Sequence, residues 1–517
     1  MKIVTAEQMR RLEQRAADAG ITEDMLMETA GLTVARRIAQ LLDGIRGKRI
    51  VVLVGPGNNG GDGMVAARYL ADWGALVTLY MTTPRRREDK FEECRSRRVR
   101  VVEAQDDADQ WQMSSYVPLA DVVLDAVLGI GAGGRLEGPI RQIIASLQAI
   151  NYEQPSLKLV ALDIPTGLDA DTGTCDEVCF PADITLTLAA PKLGLFCFPG
   201  ARWKGRVETL AIGIPEDAFE DIPLELADDA CVRRMLPPRP MDGHKGTFGH
   251  LVAVAGARRF VGAPVLVTSG AYRAGAGLVT LAAPESAYRV AAGSLLEQVH
   301  ILLPETADGY LGPAAAEAAR AAVESASAAV VGPGMGNVES VQRLLQDVLL
   351  SGPLAAPVVI DADAINCLAQ TYGWPGLLQA VAVLTPHPGE MSRLLRRPVT
   401  EIQDNRVETA QVAAADWGQV VVLKGAHTVV AAPNGRTAIS PFANPALASG
   451  GTGDVLSGVI GALLAQGAGP YEAAVAGVYV HGAAGERVRA ETGDAGLLAS
   501  DLLPHIPRVL RDIRRPR

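Results

Sequence analysis

The chain opens with two segments in which apolar residues recur every three or four positions, as in amphipathic helices. In the first, Met9 and Leu12 share one face, and Thr5 and Gln8 precede them as a T-x-x-Q pair. A threonine that caps a helix while a glutamine three residues later reaches back forms a capping box. We therefore predict that a helix begins after Thr5. A second helix is predicted through LMETAGLTVARRIAQLL.

Apolar runs follow, each ended by a glycine, proline, aspartate or threonine and separated by enough residues for a helix. This alternation is typical of βαβ units with parallel strands. The runs in the first half are RIVVLVG, ALVTLYMT, DVVLDAVLG, KLVALDIP and DITLTLAA. Those in the second half are HLVAVAG, GLVTLAAP, AAVVGPG, PVVIDADA, AVLTPHPG and QVVVLKGAHTVVAA. Between them, residues 215–240 are acidic and then rich in proline, so we predict a linker there and two α/β domains, 1–220 and 221–517.

Composition narrows the classes of function. The chain has 517 residues, too many for one core, and its 48% hydrophobic and 21% charged residues suit a compact α/β protein. A net charge of −10 argues against a nucleic-acid partner, and no window offers the roughly 18 uncharged apolar residues of a membrane span. Charges interrupt the N-terminal segment where a secretory signal needs an apolar core. Six scattered cysteines favour reduced thiols over a zinc site. We expect a cytoplasmic homo-oligomer that binds neither nucleic acid nor membrane.

The stretch VVLVGPGNNGGDG resembles a dinucleotide-binding turn, because Gly55, Gly57 and Gly60 have the G-x-G-x-x-G spacing after a strand. The spacing alone is a weak signal, and the carboxylate expected about 20 residues later to hold the ribose is missing. Three arginines stand there instead, at positions 85–87, where they could meet a 2′-phosphate or begin a solvated helix. A redox Rossmann domain is therefore doubtful. The turn nevertheless carries more polar residues than a phosphate loop needs: Asn58, Asn59, Gly60, Gly61 and Asp62.

Two more polar residues close strands in the same half. Asp125 ends VVLDA before GIGAGGR, and Asp163 ends VALD before IPTGLDADTG. Each aspartate taken alone could be a helix cap. Since the carboxyl ends of parallel strands share one edge of the sheet, several of them beside two glycine-rich loops favour a site. The residues expected to converge there are Asn59, Asp62, Asp125, Asp163 and Thr166.

Five motifs in order resemble the NAD(P)HX epimerase domain over residues 1 to about 215: LMETAG, GPGNNGGDG, DAVLGIGAGGR, DIPTGLDADTG and APKLGLF…GRVETLAIGIP. The resemblance implies that the dinucleotide is a damaged substrate, NADH or NADPH hydrated at carbon 6 of the nicotinamide ring, whose R and S epimers are interconverted. It implies that Asp163 faces the reacting ring and that Asn59, Asp125 and Thr166 help to hold K⁺. The loops implied to embrace the substrate are GNNGGD and Gly129, Ile130, Gly131, Ala132, Gly133, Gly134 and Arg135.

The strongest local signal of the second half is NPALASGGTGDVLSG. Its glycines Gly450, Gly451 and Gly453 let backbone N–H groups point together at the start of an apolar helix, which creates an anion hole. Asp454 follows them, where it can take a proton from a hydroxyl group. A glycine turn capped by an aspartate would give the same letters, so the surrounding segments decide between the two interpretations.

Those segments include KGTFGHLVAVAG, VVGPGMG, VIDADA, TPHPGE and VVLKGAHTVV, and with GTGD they resemble the ribokinase-like NAD(P)HX dehydratase over about residues 240–510. The resemblance implies that Asp454 is the catalytic base and touches the substrate. The other implied substrate contacts are Ala263, Gly334, Gly336 and His387. The implied nucleotide contacts are Lys424, Gly425, Ala426, His427, Thr428 and Gly453. His387 could instead only cap its loop.

The two resemblances together imply a Rossmann-like parallel-sheet domain followed by a ribokinase-like α/β domain. The implied reaction transfers a phosphoryl group to the ring hydroxyl of the S epimer, with Mg²⁺ present, and phosphate then leaves. ADP is the implied donor, although the sequence does not separate ADP from ATP. Two alternatives remain: the second half is a kinase for a small alcohol, or the first half is a non-catalytic nucleotide-binding module.

Overall fold

A computed structural model describes residues 1–83, 88–97 and 99–515. The chain divides into two compact units, Lys2–Pro223 and Leu224–Arg517, and Met1 groups with the second. The arginines at positions 85–87, considered above as phosphate ligands, lie outside the described residues. None of the six cysteines forms a disulfide bond. Among the described helices, none combines the length and the apolar character needed to cross a membrane.

The first unit is built on a seven-stranded sheet in the order β3-β2-β1-β4-β5-β6-β7, in which all neighbours are parallel. Its strands are β1 Arg49–Val54, β2 Leu76–Met81, β3 Arg100–Glu103, β4 Val122–Ala126, β5 Lys158–Leu162, β6 Ile184–Leu188 and β7 Arg206–Leu210. Its helices are α1 Ala6–Asp18, α2 Glu23–Leu41, α3 Asn58–Asp72, α4 Glu88–Ser96, α5 Trp111–Tyr116 and α6 Gly138–Glu153. The predicted parallel sheet is confirmed.

The capping box at the start of α1 is also confirmed. The backbone N–H of Gln8 donates to Thr5 Oγ1 at 3.2 Å, and the backbone N–H of Thr5 donates to Gln8 Oε1 at 2.9 Å. Met9 and Leu12 are buried on the inner face of the helix, as their spacing predicts. Two backbone donors that the first turn leaves unpaired are thereby satisfied by side chains only three residues apart.

The second unit holds a ten-stranded sheet in the order β11-β10-β9-β12-β13-β14-β15-β16-β17-β8. Its pairs are parallel except β15 with β16 and β16 with β17. The strands are β8 Leu224–Leu226, β9 His250–Val254, β10 Leu278–Pro284, β11 Val299–Leu303, β12 Ala328–Val331, β13 Val358–Ile360, β14 Ala382–Leu384, β15 Val420–Leu423, β16 Val429–Ala431 and β17 Thr437–Ile439.

The helices of the second unit flank this sheet. They are α7 Asp229–Met235, α8 Gly262–Ala274, α9 Glu285–Ala291, α10 Ala316–Glu324, α11 Glu339–Leu345, α12 Asp363–Gln370, α13 Trp374–Leu377, α14 Pro388–Leu395, α15 Val399–Asp404, α16 Arg406–Trp417, α17 Thr452–Ala465, α18 Pro470–Thr492 and α19 Ile506–Arg514. The apolar helix predicted after GTGD is α17, which starts earlier than predicted, at Thr452, and so includes Asp454; its residues from Val455 onward are buried. It therefore belongs to the core and fixes the turn before it.

The prediction of a linker over residues 215–240 was wrong in part. Strand β8 lies within that segment and joins the edge of the second sheet by pairing with β17. Helix α7 follows directly, with Cys231 and Val232 buried. A strand of three residues is too short to show the alternation of apolar and polar positions, so the acidic and proline-rich composition concealed it.

Candidate active sites

The first site is a cavity of about 770 Å³ at the carboxyl ends of β1, β4 and β5. The predicted residues Asn58, Asn59, Asp62 and Asp163 line it together. Helices α1 and α2 supply a further wall. Crevices at the carboxyl ends of strands are where open parallel sheets bind ligands, because loops from several strands meet there.

Asp163 is held at the end of β5 by a buried ion pair that sequence analysis missed. Its Oδ1 contacts the Nζ of Lys192, a fully buried residue that also lines the cavity. The Leu188 N–H donates to the same oxygen at 3.0 Å, and Lys192 Nζ donates to the Leu188 carbonyl at 2.9 Å. Asp163 has a backbone φ of +69°, uncommon for a residue with a side chain. The pair therefore presents a fixed carboxylate and a fixed ammonium to the cavity.

The residues expected to hold K⁺ are joined by hydrogen bonds: Asn59, which lines the cavity, is linked through Leu128 to Thr166, and Thr166 to Asp125. Asp125 is fully buried and accepts hydrogen bonds from the Thr166 N–H at 2.8 Å and Thr166 Oγ1 at 2.7 Å. The Leu128 N–H donates to Thr166 Oγ1 at 3.1 Å, and Asn59 Nδ2 donates to the Leu128 carbonyl at 3.1 Å. Burial raises the pKa of Asp125 to about 6. A carboxylate, a hydroxyl and an amide oxygen are hard ligands, so this donor set fits an alkali cation.

The loop predicted to embrace the dinucleotide faces two different cavities. Gly129, Ile130, Gly131 and Ala132 line the first site. Gly133, Gly134 and Arg135 instead line a second depression of about 730 Å³, which residues 174–177 complete. The loop therefore reaches beyond the first cavity.

Gly60 and Gly61 do not line the first cavity. Both are buried in the first turn of α3, and a Cβ on Gly60 would lie 2.2 Å from the Gly55 carbonyl oxygen. Gly60 therefore permits the close approach of helix and strand, the role of the third glycine in a dinucleotide fingerprint.

Replacing Gly60 by alanine should destabilise the first unit, because the added methyl group meets backbone rather than a movable side chain. Overpacking of this kind costs typically about 1–3 kcal/mol of unfolding free energy. Gly57→Ala is the matched control, since nothing lies within 4 Å of a Cβ at that position. Thermal unfolding of the two variants measures the difference. Equal transition temperatures would contradict a packing role for Gly60.

The second site gathers around Lys424, at the end of β15. Its Nζ lies 2.7 Å from Asp361 Oδ1 and 3.9 Å from Glu390 Oε2. Burial alone would lower the pKa of the Lys424 ammonium, but Asp361 and Glu390 outweigh burial and raise it. Asp361 follows β13, is almost fully buried and also accepts a hydrogen bond from Ser457 Oγ. Neither Asp361 nor Glu390 was given a role from the sequence, although VIDADA and TPHPGE contain them; Asp361 directly follows β13, whereas Glu390 lies in the first turn of α14.

The GTGD turn lies beside Lys424. A Cβ on Gly453 would be 3.5 Å from Lys424 Nζ, so the predicted nucleotide contacts Gly453 and Lys424 are neighbours. Gly451 has a φ of +89° and precedes the first residue of α17. Burial, followed by the negative charge of Asp361, raises the pKa of Asp454 to about 7 against the opposing effect of Lys424. An acidic group with a pKa near neutrality is suited to accept a proton at physiological pH.

The remaining predicted nucleotide contacts form the turn between β15 and β16. Gly425 and Ala426 are exposed, and Thr428 Oγ1 donates to the Gly425 carbonyl at 2.8 Å. His427 differs from this pattern, because its side chain is 2% exposed and its Nδ1 lies 2.9 Å from the Ser440 carbonyl. The imidazole therefore ties the turn to the residue that follows β17, and because His427 as a whole is buried, its contact with a nucleotide stays a prediction.

Two of the four other residues expected at the hydrate site are in contact. Ala263 and Gly334 are adjacent, since a Cβ on Gly334 would lie 2.8 Å from Ala263 Cβ. The Gly336 N–H donates to Asp363 Oδ2 at 2.7 Å. His387 caps α14, where its Nδ1 accepts hydrogen bonds from two backbone N–H groups. The capping role weighed for His387 is thus confirmed, and contact of its half-exposed ring with a substrate stays a prediction.

Comparisons with known proteins cover both units. A family model described as NAD(P)H-hydrate dehydratase matches residues 251–508, and one described as YjeF-related protein N-terminus matches residues 23–194. The chain is 37% identical over 524 residues to the bifunctional NAD(P)H-hydrate repair enzyme of Moorella thermoacetica, covering 99% of this chain and 97% of the relative. It is 38% identical to the enzyme of that name from Thermofilum pendens, with the same coverage.

A solved structure resembles the second unit. It is the ADP/ATP-dependent NAD(P)H-hydrate dehydratase from Bacillus subtilis, co-crystallised with ATP/Mg²⁺. The sequence identity is 34% and the TM-score is 0.50, covering 56% of this chain and 98% of that chain. The predicted ribokinase-like fold of the second half agrees with this similarity.

Proposed function

Since this chain belongs to the family of bifunctional NAD(P)H-hydrate repair enzymes, we propose that its two units divide the repair of hydrated NADH and NADPH between them. The first, assigned to residues 1–220, interconverts the R and S hydrates. The second, assigned to residues 221–517, dehydrates the S hydrate at the expense of ADP and yields AMP and phosphate. The full-length similarity to named repair enzymes carries this proposal. A small-alcohol kinase joined to a non-catalytic module is not favoured, because both halves match the repair enzymes.

Dehydration needs a better leaving group than hydroxide. Asp454 takes the proton of the ring hydroxyl group while the hydroxyl oxygen attacks the terminal phosphorus of the nucleotide. The bond between that phosphorus and the bridging oxygen of the nucleotide breaks. Lys424 and the backbone N–H groups around Gly453 stabilise the charge that develops on the phosphoryl oxygens. The lone pair of the ring nitrogen then expels phosphate from carbon 6. Loss of a proton from the ring carbon next to carbon 6 restores the dihydropyridine.

Mg²⁺ and the donor nucleotide belong to this proposal. Asp361 and Glu390 are buried against the Lys424 ammonium, and the described residues contain no group of three His, Cys, Asp or Glu side chains that could hold a metal, so these residues do not form a protein cage for the ion. Mg²⁺ would be held largely by the phosphates of the nucleotide, as is usual for this ion. Bound Mg²⁺ would offset the negative charge of the phosphates. The similar B. subtilis protein, named ADP/ATP-dependent, supports a nucleotide donor. We propose ADP, and analysis of the nucleotide product distinguishes the donors, because ADP yields AMP whereas ATP yields ADP.

One assay tests the function as a whole. Purified R and S hydrates of NADH are supplied separately with ADP or ATP, and the return of dihydronicotinamide absorbance is followed. We expect prompt return from the S hydrate, return from the R hydrate after epimerisation, and release of free phosphate. A stable phosphoester as the product would instead identify a kinase.

We also propose that Asn59, Asp125 and Thr166 hold K⁺ and that the ion orders residues 127–128 at the edge of the cavity. Asn59→Ala removes one oxygen ligand, so its epimerisation rate should respond at least about tenfold more weakly to added K⁺ than the wild-type rate. Asp125→Ala should have the same effect. Asn434→Ala, in the exposed turn between β16 and β17, is the matched control. Rates that stay equal to wild type across a titration of K⁺ against Na⁺ would contradict the ion site.

The proposed location is the cytoplasm, which agrees with the absence of a disulfide bond among the six cysteines, since reducing compartments keep thiols reduced. A homo-oligomer stays a prediction, and light scattering of the purified protein checks it.

A further inference from the structure

Helix α1 brings one more carboxyl group to the first cavity. Glu13 lies one helical turn after Met9, and both residues line the cavity together with Asp163 and Lys192. Asp163 and Lys192 reach the cavity from the carboxyl ends of strands, whereas Glu13 reaches it from the helix. A ligand in this cavity would therefore meet acid–base groups on two different walls.

Glu13 differs from the other carboxylates of the cavity in its contacts. Within the described residues, no hydrogen bond or salt bridge engages its side chain. Asp163 is bound to Lys192, and Glu23 accepts a hydrogen bond from Asn58 Nδ2 at 2.7 Å. Desolvation at the cavity wall raises the pKa of Glu13; Lys192 opposes this effect, and Asp163 adds to it. Glu13 is thus able to exchange a proton with a bound molecule.

The proposed epimerisation needs such a group. Inversion at carbon 6 requires the carbon–oxygen bond to break on one face of the ring and to re-form on the other. The nitrogen lone pair forms a double bond to carbon 6 as the hydroxyl group takes a proton from an acid and leaves as water. Water then adds to the opposite face, the electron pair returns to nitrogen, and a base on that side accepts the proton. One acid–base group cannot serve both faces of a ring held in one orientation.

We propose that Glu13 is the second acid–base group of the epimerase site, serving one face of the ring while Asp163 with Lys192 serves the other. This inference rests on the epimerase function proposed above. In one direction Glu13 gives its proton to the departing hydroxyl, and in the reverse direction it takes a proton from the arriving water. After one turnover the group that acted as acid has lost a proton and the group that acted as base has gained one. Proton exchange with solvent, or a turnover in the opposite direction, restores both.

The test uses the full-length Glu13→Gln variant, which keeps the shape of the side chain but cannot exchange a proton. Each pure hydrate is incubated without ADP in water labelled with a heavy oxygen isotope. Inversion and incorporation of the label at carbon 6 are measured above the spontaneous rates. Glu7→Gln is the matched control, because Glu7 lies on the same helix and pairs with Arg11 at the surface.

We expect inversion by Glu13→Gln to fall by about 10²-fold or more, as for loss of a general acid or base. The variant should still exchange the oxygen of one epimer, whose hydroxyl meets Asp163 and Lys192, and lose exchange for the other. Glu13→Asp should recover part of the inversion, and Glu7→Gln should match wild type.

Two results would overturn the role of Glu13: inversion at the wild-type rate in Glu13→Gln, or an equal loss of oxygen exchange for both epimers, as a purely structural role would give. Failure of the wild-type protein to accelerate inversion would instead reject the epimerase function itself. Unchanged dehydration of the S hydrate with ADP shows that each variant chain is intact in its second unit.

Discussion

Asp454→Asn should lower dehydration of the S hydrate by about 10²-fold or more, because the variant keeps the shape of the side chain but cannot accept the hydroxyl proton. Asp454 lies in the first turn of the buried helix α17, so the amide should occupy the same place. Absorbance of the regenerated dihydronicotinamide measures the rate. Asp416→Asn, on the exposed face of α16, is the matched control. Near-normal turnover by Asp454→Asn would remove this residue from the mechanism.

The same carboxyl group should give dehydration a characteristic pH dependence. Burial and Asp361 raise the pKa of Asp454 to about 7, and only the ionised carboxylate accepts a proton. The rate with saturating nucleotide should therefore rise as the pH increases through about 7. In Asp454→Asn, the residual rate should lose that rise.

Asp163→Asn should abolish epimerisation, with a loss of about 10²-fold or more, because the variant no longer offers a carboxylate to the ring or a charged partner to Lys192. The variant should convert the S hydrate promptly with ADP and the R hydrate only as fast as spontaneous epimerisation supplies S. Asp454→Asn should show the converse, equilibrating R and S while returning no NADH.

Asp106→Asn, exposed in the first unit, controls for the removal of a carboxylate. If Asp163→Asn consumes both epimers at the wild-type rate, the first unit is not the epimerase. The interpretation of that unit as a non-catalytic nucleotide-binding module would then gain support.

Central strands were the most predictable part of the fold. Strands β1, β4 and β5 are buried on both faces, so their sequences are continuous apolar runs. Strands β3 and β7 form the two edges of the first sheet, and β8 and β11 those of the second. Edge strands have one neighbour and expose more side chains, so polar residues interrupt their pattern and sequence analysis missed all four.

The candidate sites were predicted unevenly. Glycine turns and polar residues at the ends of strands located both sites, because parallel strands bring their carboxyl ends to one edge. The partners of those residues were not predicted. Lys192 lies 29 positions from Asp163, and Lys424 lies 63 positions from Asp361. A lysine becomes the buried partner of an aspartate only when folding removes both from water. The residues next to the lysine in sequence do not predict this burial.

The sequence by itself determined the features that depend on neighbours a few residues apart: the Thr5 capping box, the apolar runs of the central strands and the turn before α17. These features arise from local hydrogen bonds and from side-chain periodicity, and both depend only on residues that are close together in the sequence. Tertiary structure alone decided which charged residues lie together. It pairs Lys192 with Asp163 and Lys424 with Asp361, and it places Glu13 in the wall of the first cavity. Their pairing and desolvation depend on distances between remote segments, and only the folded chain sets those distances.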